Sequence, residues 1–292
     1  MKYIISLIVC FCAVSPLFAQ ILDQPYGNDF THAQKFDPSF IARNKIKEIR
    51  AIQESKKDRD RIRKTNESMV YQFYPDGNLQ MQALINHNLR DTAVTIFEYA
   101  GERLSCEIKN DAAGMFSYCY AYDNTGLPLS RIYGRPQKAG RLTSANWDGK
   151  TTEISTEKMT HQRYELQLHS TLFNAGGRPY QKEIRYYDEN DYLIQYSRSY
   201  VMSSDRYEEK YAYESHGWLS EKEIISAKEK YTLKYSYDAV GNLLSEERYE
   251  NETLVYRKEY VYEGSNMMLK AELRRDDIRQ YIYITTYTFR YW

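Results

Sequence analysis

The chain has 292 residues, 40 of them basic and 40 acidic, so its formal net charge is zero. That balance argues against a nucleic-acid partner, which needs a basic field, and against a polybasic membrane surface. Tyrosine is the most telling residue: 30 are present, 20 of them from Tyr180 onward, and with few alanines this favours strands over helices.

Residues 1–19 read as a secretory signal peptide. Lys2 gives a short positive start, Ile4 to Val14 is an apolar run too short to span a bilayer, and Ala19 offers a small residue at the cleavage position. Cys10 and Cys12 sit inside the apolar run and do not read as a lipid-attachment site. The chain is therefore expected to be exported, to the periplasm, the outer surface or the medium, with no transmembrane helix left after cleavage.

Residues 20–67 form an irregular N-terminal segment rich in turn formers. Within it, Pro38 to Arg43 predicts a short helix capped by Asp37. Asn44 to Glu54 fits either a helix, from the spacing of Ile46, Ile49 and Ile52, or a strand set against Met69 to Tyr74, and the strand is preferred because the rest of the chain reads as β. The charge density from Ser55 to Thr65 reads as a solvated loop.

Residues 68–292 carry a repeat of alternating aromatics, an Asp-x-x-Gly turn and a leucine. It is clearest at Tyr235-Ser236-Tyr237-Asp238-Ala239-Val240-Gly241-Asn242-Leu243, with relatives at Tyr71, Tyr120 and Tyr211. Glycines recur roughly every 24 residues, as at Gly77, Gly101, Gly126 and Gly149, and again at Gly217, Gly241 and Gly264. Each period fits two strands and two turns, and a simple hairpin at Asp238 to Gly241 would set Tyr237 opposite Asn242. The phase slips between Gly177 and Tyr192, a candidate break between two sub-sheets near 177–192. The expected fold is all-β: a repetitive antiparallel meander forming an extended curved sheet.

Cys106 and Cys119 are equidistant from the proposed turn Asp111 to Gly114, so they face one another across a hairpin and predict a disulfide in an oxidising compartment. The units at Tyr71, Tyr120, Tyr211 and Tyr235 resemble the YD repeats of Rhs-type proteins, over about residues 70–269. The resemblance implies long, curved β-meander sheets and an envelope or surface location. There are too few copies to close a shell, and the resemblance carries over no catalytic residue.

The chain offers little recognisable chemistry. His32, His87, His161, His169 and His216 show no metal-ligand spacing, and His161 and His169 would lie far apart on one strand. The turn acids Asp76, Asp123, Asp148, Asp188 and Asp238 are too scattered for a calcium loop. No catalytic motif is present, so no metal, no cofactor and no enzymatic activity are expected. The expected role is structural or binding, towards an unknown protein or glycan partner at the envelope, with Trp147 and Trp218 as candidate binding residues. Two alternatives stand beside it. One is an enzyme on a β scaffold. The other is an outer-membrane β-barrel, which the aromatic C-terminus invites but which Arg257-Lys258-Glu259, with charge on both faces, and Trp292, sharing a face with Arg290, oppose.

Overall fold

The computed structural model describes residues 20–23, 35–89, 91–137 and 150–292. The proposed signal peptide, His32, Trp147 and Asp148 lie outside the described residues. Asp37 and Pro38 start a helix as expected: α1 is Pro38–Arg43, and the Asp37 carboxylate accepts from the Phe40 amide at 2.5 Å. The strands then follow in chain order. They are β1 Ile46–Lys57, β2 Arg63–Phe73, β3 Leu79–Asn86, β4 Asp91–Ala100, β5 Arg103–Asp111, β6 Gly114–Tyr122, β7 Pro128–Pro136, β8 Thr151–Tyr164 and β9 Gln167–Phe173. After these come β10 Pro179–Tyr187, β11 Leu193–Tyr200, β12 Arg206–Tyr213, β13 Leu219–Ser226, β14 Lys230–Tyr237, β15 Leu243–Glu250, β16 Thr253–Glu263, β17 Met268–Asp276 and β18 Tyr281–Tyr291.

Each strand pairs antiparallel with the next. β1 also pairs with β18, matching Ile49 with Phe289 and Ala51 with Tyr287. The meander therefore closes into an 18-stranded barrel, not the extended curved sheet the repeats suggest. Closure leaves no unpaired edge, which a long open sheet would have to protect. The strand preferred for Asn44 to Glu54 is present as β1 and lies against β2 as expected; its second pairing, to β18, is what the sequence did not suggest and what closes the wall. The charged stretch from Ser55 is largely strand too, and only the residues between Lys57 and Arg63 form the turn. There is no sub-sheet break at 177–192, because β10 pairs with β9 and β11 along its length.

The glycine turns use one piece of chemistry several times. At Asp238 the backbone amide bonds to the Asn242 carbonyl at 3.0 Å, and the carboxylate accepts from the amides of Val240 and Asn242, both at 2.9 Å. Asp123 and Asp188 bond their own turns in the same way. Gly241 takes φ +94°, a conformation that favours glycine. The loop is one residue longer than a simple hairpin, so Tyr237 faces Leu243 rather than Asn242, with a bulge beside it.

That register explains the tyrosines. In five repeats the second ring donates its hydroxyl to a leucine carbonyl at the start of the preceding repeat's return strand. The bonds are Tyr99 to Leu79 (3.1 Å), Tyr122 to Leu104 (2.7 Å), Tyr213 to Leu193 (2.7 Å), Tyr237 to Leu219 (2.9 Å) and Tyr262 to Leu243 (2.8 Å). One end of the barrel is thus stitched, repeat to repeat, by phenol groups. Tyr237→Phe keeps the ring and removes one stitch. It should lower stability by about 1 kcal/mol, read as a shift of the urea midpoint at unchanged slope; no shift would mean these bonds contribute nothing.

The aromatic face is the inner one. Side chains from strands that are not neighbours meet on it: Glu157 of β8 takes Arg131 of β7 and, two strands on, the Tyr180 hydroxyl of β10 at 3.0 Å. The N-terminal segment lies against this face. Phe36 sits edge-on to Tyr71 and Phe73 of β2 and to Tyr287 of β18, and Lys35 bonds Glu272 of β17 at 2.9 Å. Ile21, Phe40, Ile41, Phe73, Leu79, Leu219, Leu243 and Leu269 complete a buried apolar layer near the glycine turns. A smaller aliphatic cluster, Val70, Ala83, Val94, Ile96 and Ile108, occupies the outward face of β2–β5.

Candidate functional site

The end of the barrel away from the glycine turns has a different interior. In a strand residues i and i+2 share a face, so Tyr196-x-Arg198-x-Tyr200 on β11 and Tyr207-x-Glu209-x-Tyr211 on β12 put rings and charges together inside. Arg274 and Tyr283 face each other on β17 and β18. Inner-face Arg274 and Lys57 are solvent-exposed, so water enters from this end. The opposite end carries the apolar layer and the N-terminal segment.

Most inner cations are neutralised by a carboxylate on the same or an adjacent strand. Lys222 pairs with Glu209 at 3.0 Å, Lys258 with Glu246 at 2.8 Å, and Arg131 with Glu157 at 2.5 Å. Glu209 also takes the hydroxyls of Tyr207 and Tyr211. Burial works against the charged form of Glu209, but Lys222 and the two phenols outweigh it and hold the carboxyl below its ordinary range. The same burial, reinforced by neighbouring carboxylates, pushes the phenols of Tyr211, Tyr235 and Tyr260 far up, so they stay protonated donors. Tyr71 is pushed up to about 12 by burial and by Glu272.

Cations also lie over rings. Arg248 is 3.7 Å from the Tyr231 centroid, Arg274 is 4.7 Å from Tyr283, and Arg198 is 4.8 Å from Tyr207 and 5.8 Å from Tyr200. The surface can therefore present flat amphipathic rings and fixed guanidinium groups to a polar solute. Among the described residues, no group of His, Cys, Asp and Glu is placed to hold a metal ion.

The residues singled out from sequence fall elsewhere. Cys106 and Cys119 are joined by a disulfide across β5 and β6 and pair directly in the ladder. Trp218 belongs to the glycine-turn rim: its ring stacks on His216 at 5.1 Å, lies 5.4 Å from Tyr237 and covers Gly241. His161 and His169 are on two strands of one hairpin rather than on one strand. They occupy opposite faces, since His161 pairs with Ser170 and Gln162 with His169. The inner arginines were missed, although a signal existed: a basic residue two positions from a tyrosine on the same strand shares its face.

No family model matches the chain, and no curated protein matches it. Among solved structures it is similar to a porin-like protein from Bacteroides uniformis, with 11% identity and a TM-score of 0.39 over 84% of this chain and 98% of that one. A porin-like protein from Bacteroides vulgatus gives 9% and 0.35 over the same shares. A LolA superfamily protein from Nitrosomonas europaea gives 14% and 0.18 over 84% of each chain. Overlaps this low transfer neither fold nor function. The YD-repeat assignment is corrected: no model of that repeat matches, and the strands close on themselves as a barrel instead of an open repeat sheet. The Tyr-x-Tyr-Asp-x-x-Gly-x-Leu units are hairpins joined by the phenol stitches described above.

Proposed function

We propose that the protein is a non-catalytic, water-facing β-barrel of the cell envelope whose polar, ring-lined lumen binds an extended polar solute. The observation that supports this most directly is the contrast between the two faces. Outward, Glu221, Lys234, Glu247, Arg257 and Arg275 stand in direct cross-strand register from β13 to β17, a belt of charge around almost a third of the wall. A lipid-facing Lys or Arg costs about 2–4 kcal/mol at the bilayer midplane, and a spanning barrel needs an apolar band on every strand. The buried outward aliphatic cluster spans β2–β5, with Met115 of β6 packed against it, and does not extend round to the β13–β17 belt. Inward, the charged groups are largely tied in ion pairs and the phenols are held protonated, which suits binding better than proton transfer.

The outer-membrane reading shares the barrel and differs only in what surrounds it. No helix among the described residues is long and apolar enough to cross a membrane, which says nothing about strands. Envelope membranes washed with carbonate or urea separate the two. The protein should be released to the soluble fraction; retention until detergent is added would establish the membrane-spanning barrel instead.

A further inference from the structure

Two inner guanidinium groups, at Arg198 and Arg274, stand beside acids that are already engaged elsewhere. Glu183 stands directly across from Arg198, but it is already engaged by Arg185 at 3.2 Å and by Gln181 at 2.6 Å. Arg198 Nε is buried without a hydrogen-bond partner, and the group rests between the rings of Tyr200 and Tyr207. Arg274 stands across from another cation, Lys258, which is taken by Glu246. The acids beside Arg274 on its own strand are also engaged, Glu272 by Lys35 and Asp276 by Arg279 at 3.9 Å.

A guanidinium keeps its charge under all relevant conditions, has only donors, and offers a planar fork that matches a carboxylate or sulfate. Two such groups, each on a tyrosine ring, form a surface short of anions. β11 and β17 are six strands apart, roughly 25–30 Å along the wall at ordinary strand spacing, so one small ion cannot reach both. A chain with acid groups at intervals and flat, partly apolar rings between them can.

We infer that the lumen takes an acidic oligosaccharide, with Arg198 and Arg274 pairing its acid groups and Tyr200, Tyr207 and Tyr283 supporting its sugar rings. This rests on the lumen-binding role proposed above and names its ligand class.

Calorimetry on the full exported chain tests it, with an oligogalacturonate of six units and maltohexaose as probes. The acidic probe should bind at least about ten-fold more tightly than the neutral one and weaken as salt is raised. Arg198→Gln and Arg274→Gln should each lower its affinity about ten-fold without changing the circular dichroism spectrum, and Arg198→Lys should fall between. If burial makes Arg198→Gln fold poorly, the exposed Arg274→Gln carries the test. Equal binding of both probes, or unchanged affinity in the arginine variants, overturns the acidic assignment while leaving the lumen role standing. Binding of neither probe overturns both.

Discussion

Gly77→Ala is expected to cost at least about 3 kcal/mol, whereas Gly101→Ala should cost only about 1–2 kcal/mol. Both glycines have positive φ, +92° and +65°, and both close a glycine turn at the same end of the barrel. They differ in surroundings. A Cβ on Gly77 would lie 1.8 Å from the Pro38 carbonyl oxygen and 3.0 Å from the Ala42 amide, whereas one on Gly101 meets nothing within 4 Å. The obstacle at Gly77 is backbone, so it cannot rotate away; α1 must lift off the β2–β3 turn. The loss should therefore come with faster proteolysis of the segment before β1, which Gly101→Ala should leave unchanged. Urea midpoints and a trypsin time course measure both. Equal costs for the two substitutions would show that the N-terminal segment is not held by this contact.

Lys35→Met should cost about 2–3 kcal/mol at pH 7 and reverse the sign of the pH dependence in mildly acidic solution. Lys35 reaches Glu272 at 2.9 Å and the Tyr287 hydroxyl at 2.7 Å, tying the N-terminal segment to β17 and β18. Breaking a buried pair costs about 3–5 kcal/mol, and the lower figure applies because the Lys35 side chain is 36% exposed. Burial pushes the Glu272 carboxyl upward, but Lys35, Lys258 and Tyr287 together hold it below its ordinary value of 4.5. A depressed acid contributes stability that is fully present above 4.5 and lost as pH falls through the folded-state value. Without Lys35 the desolvation of a largely buried carboxylate dominates and its pKa rises above the ordinary value. The variant should then lose stability as pH increases from 4.5 through the raised value, where the parent does not. Urea denaturation from pH 3.5 to 7 reads the slope directly. Glu272→Gln, which removes the charge rather than stranding it, should be milder at pH 7. A variant whose slope keeps the parent's sign would falsify the role given to this pair.

The strands were legible because their causes are local. Alternating rings, an acid that bonds its own turn and a glycine at positive φ act within about ten residues, so Asp238 to Leu243 could be read as a hairpin from the chain alone. The Cys106–Cys119 pair was legible for the same reason: its hairpin is short and regular. The register at Asp238 was off by one because the turn takes one residue more than a two-residue hairpin and leaves a bulge beside Tyr237; the same shift recurs at Phe73, which has no hydroxyl. Gly149, where the Gly126 to Gly149 interval ends, lies outside the described residues. Trp218 was singled out as a flat ring suited to a partner, and the structure places it at the rim beside His216, Tyr237 and Gly241.

Antiparallel aromatic strands, the Cys106–Cys119 disulfide and the capped helix at Pro38 were readable along the chain, because each follows from interactions between residues close in sequence. The meeting of β1 with β18 was not, since the pairing of Ile49 with Phe289 joins residues more than two hundred positions apart and leaves no local trace. Closure in turn decided which face is inside, and with it which charges are neutralised and which, Arg198 and Arg274, are left to meet a ligand.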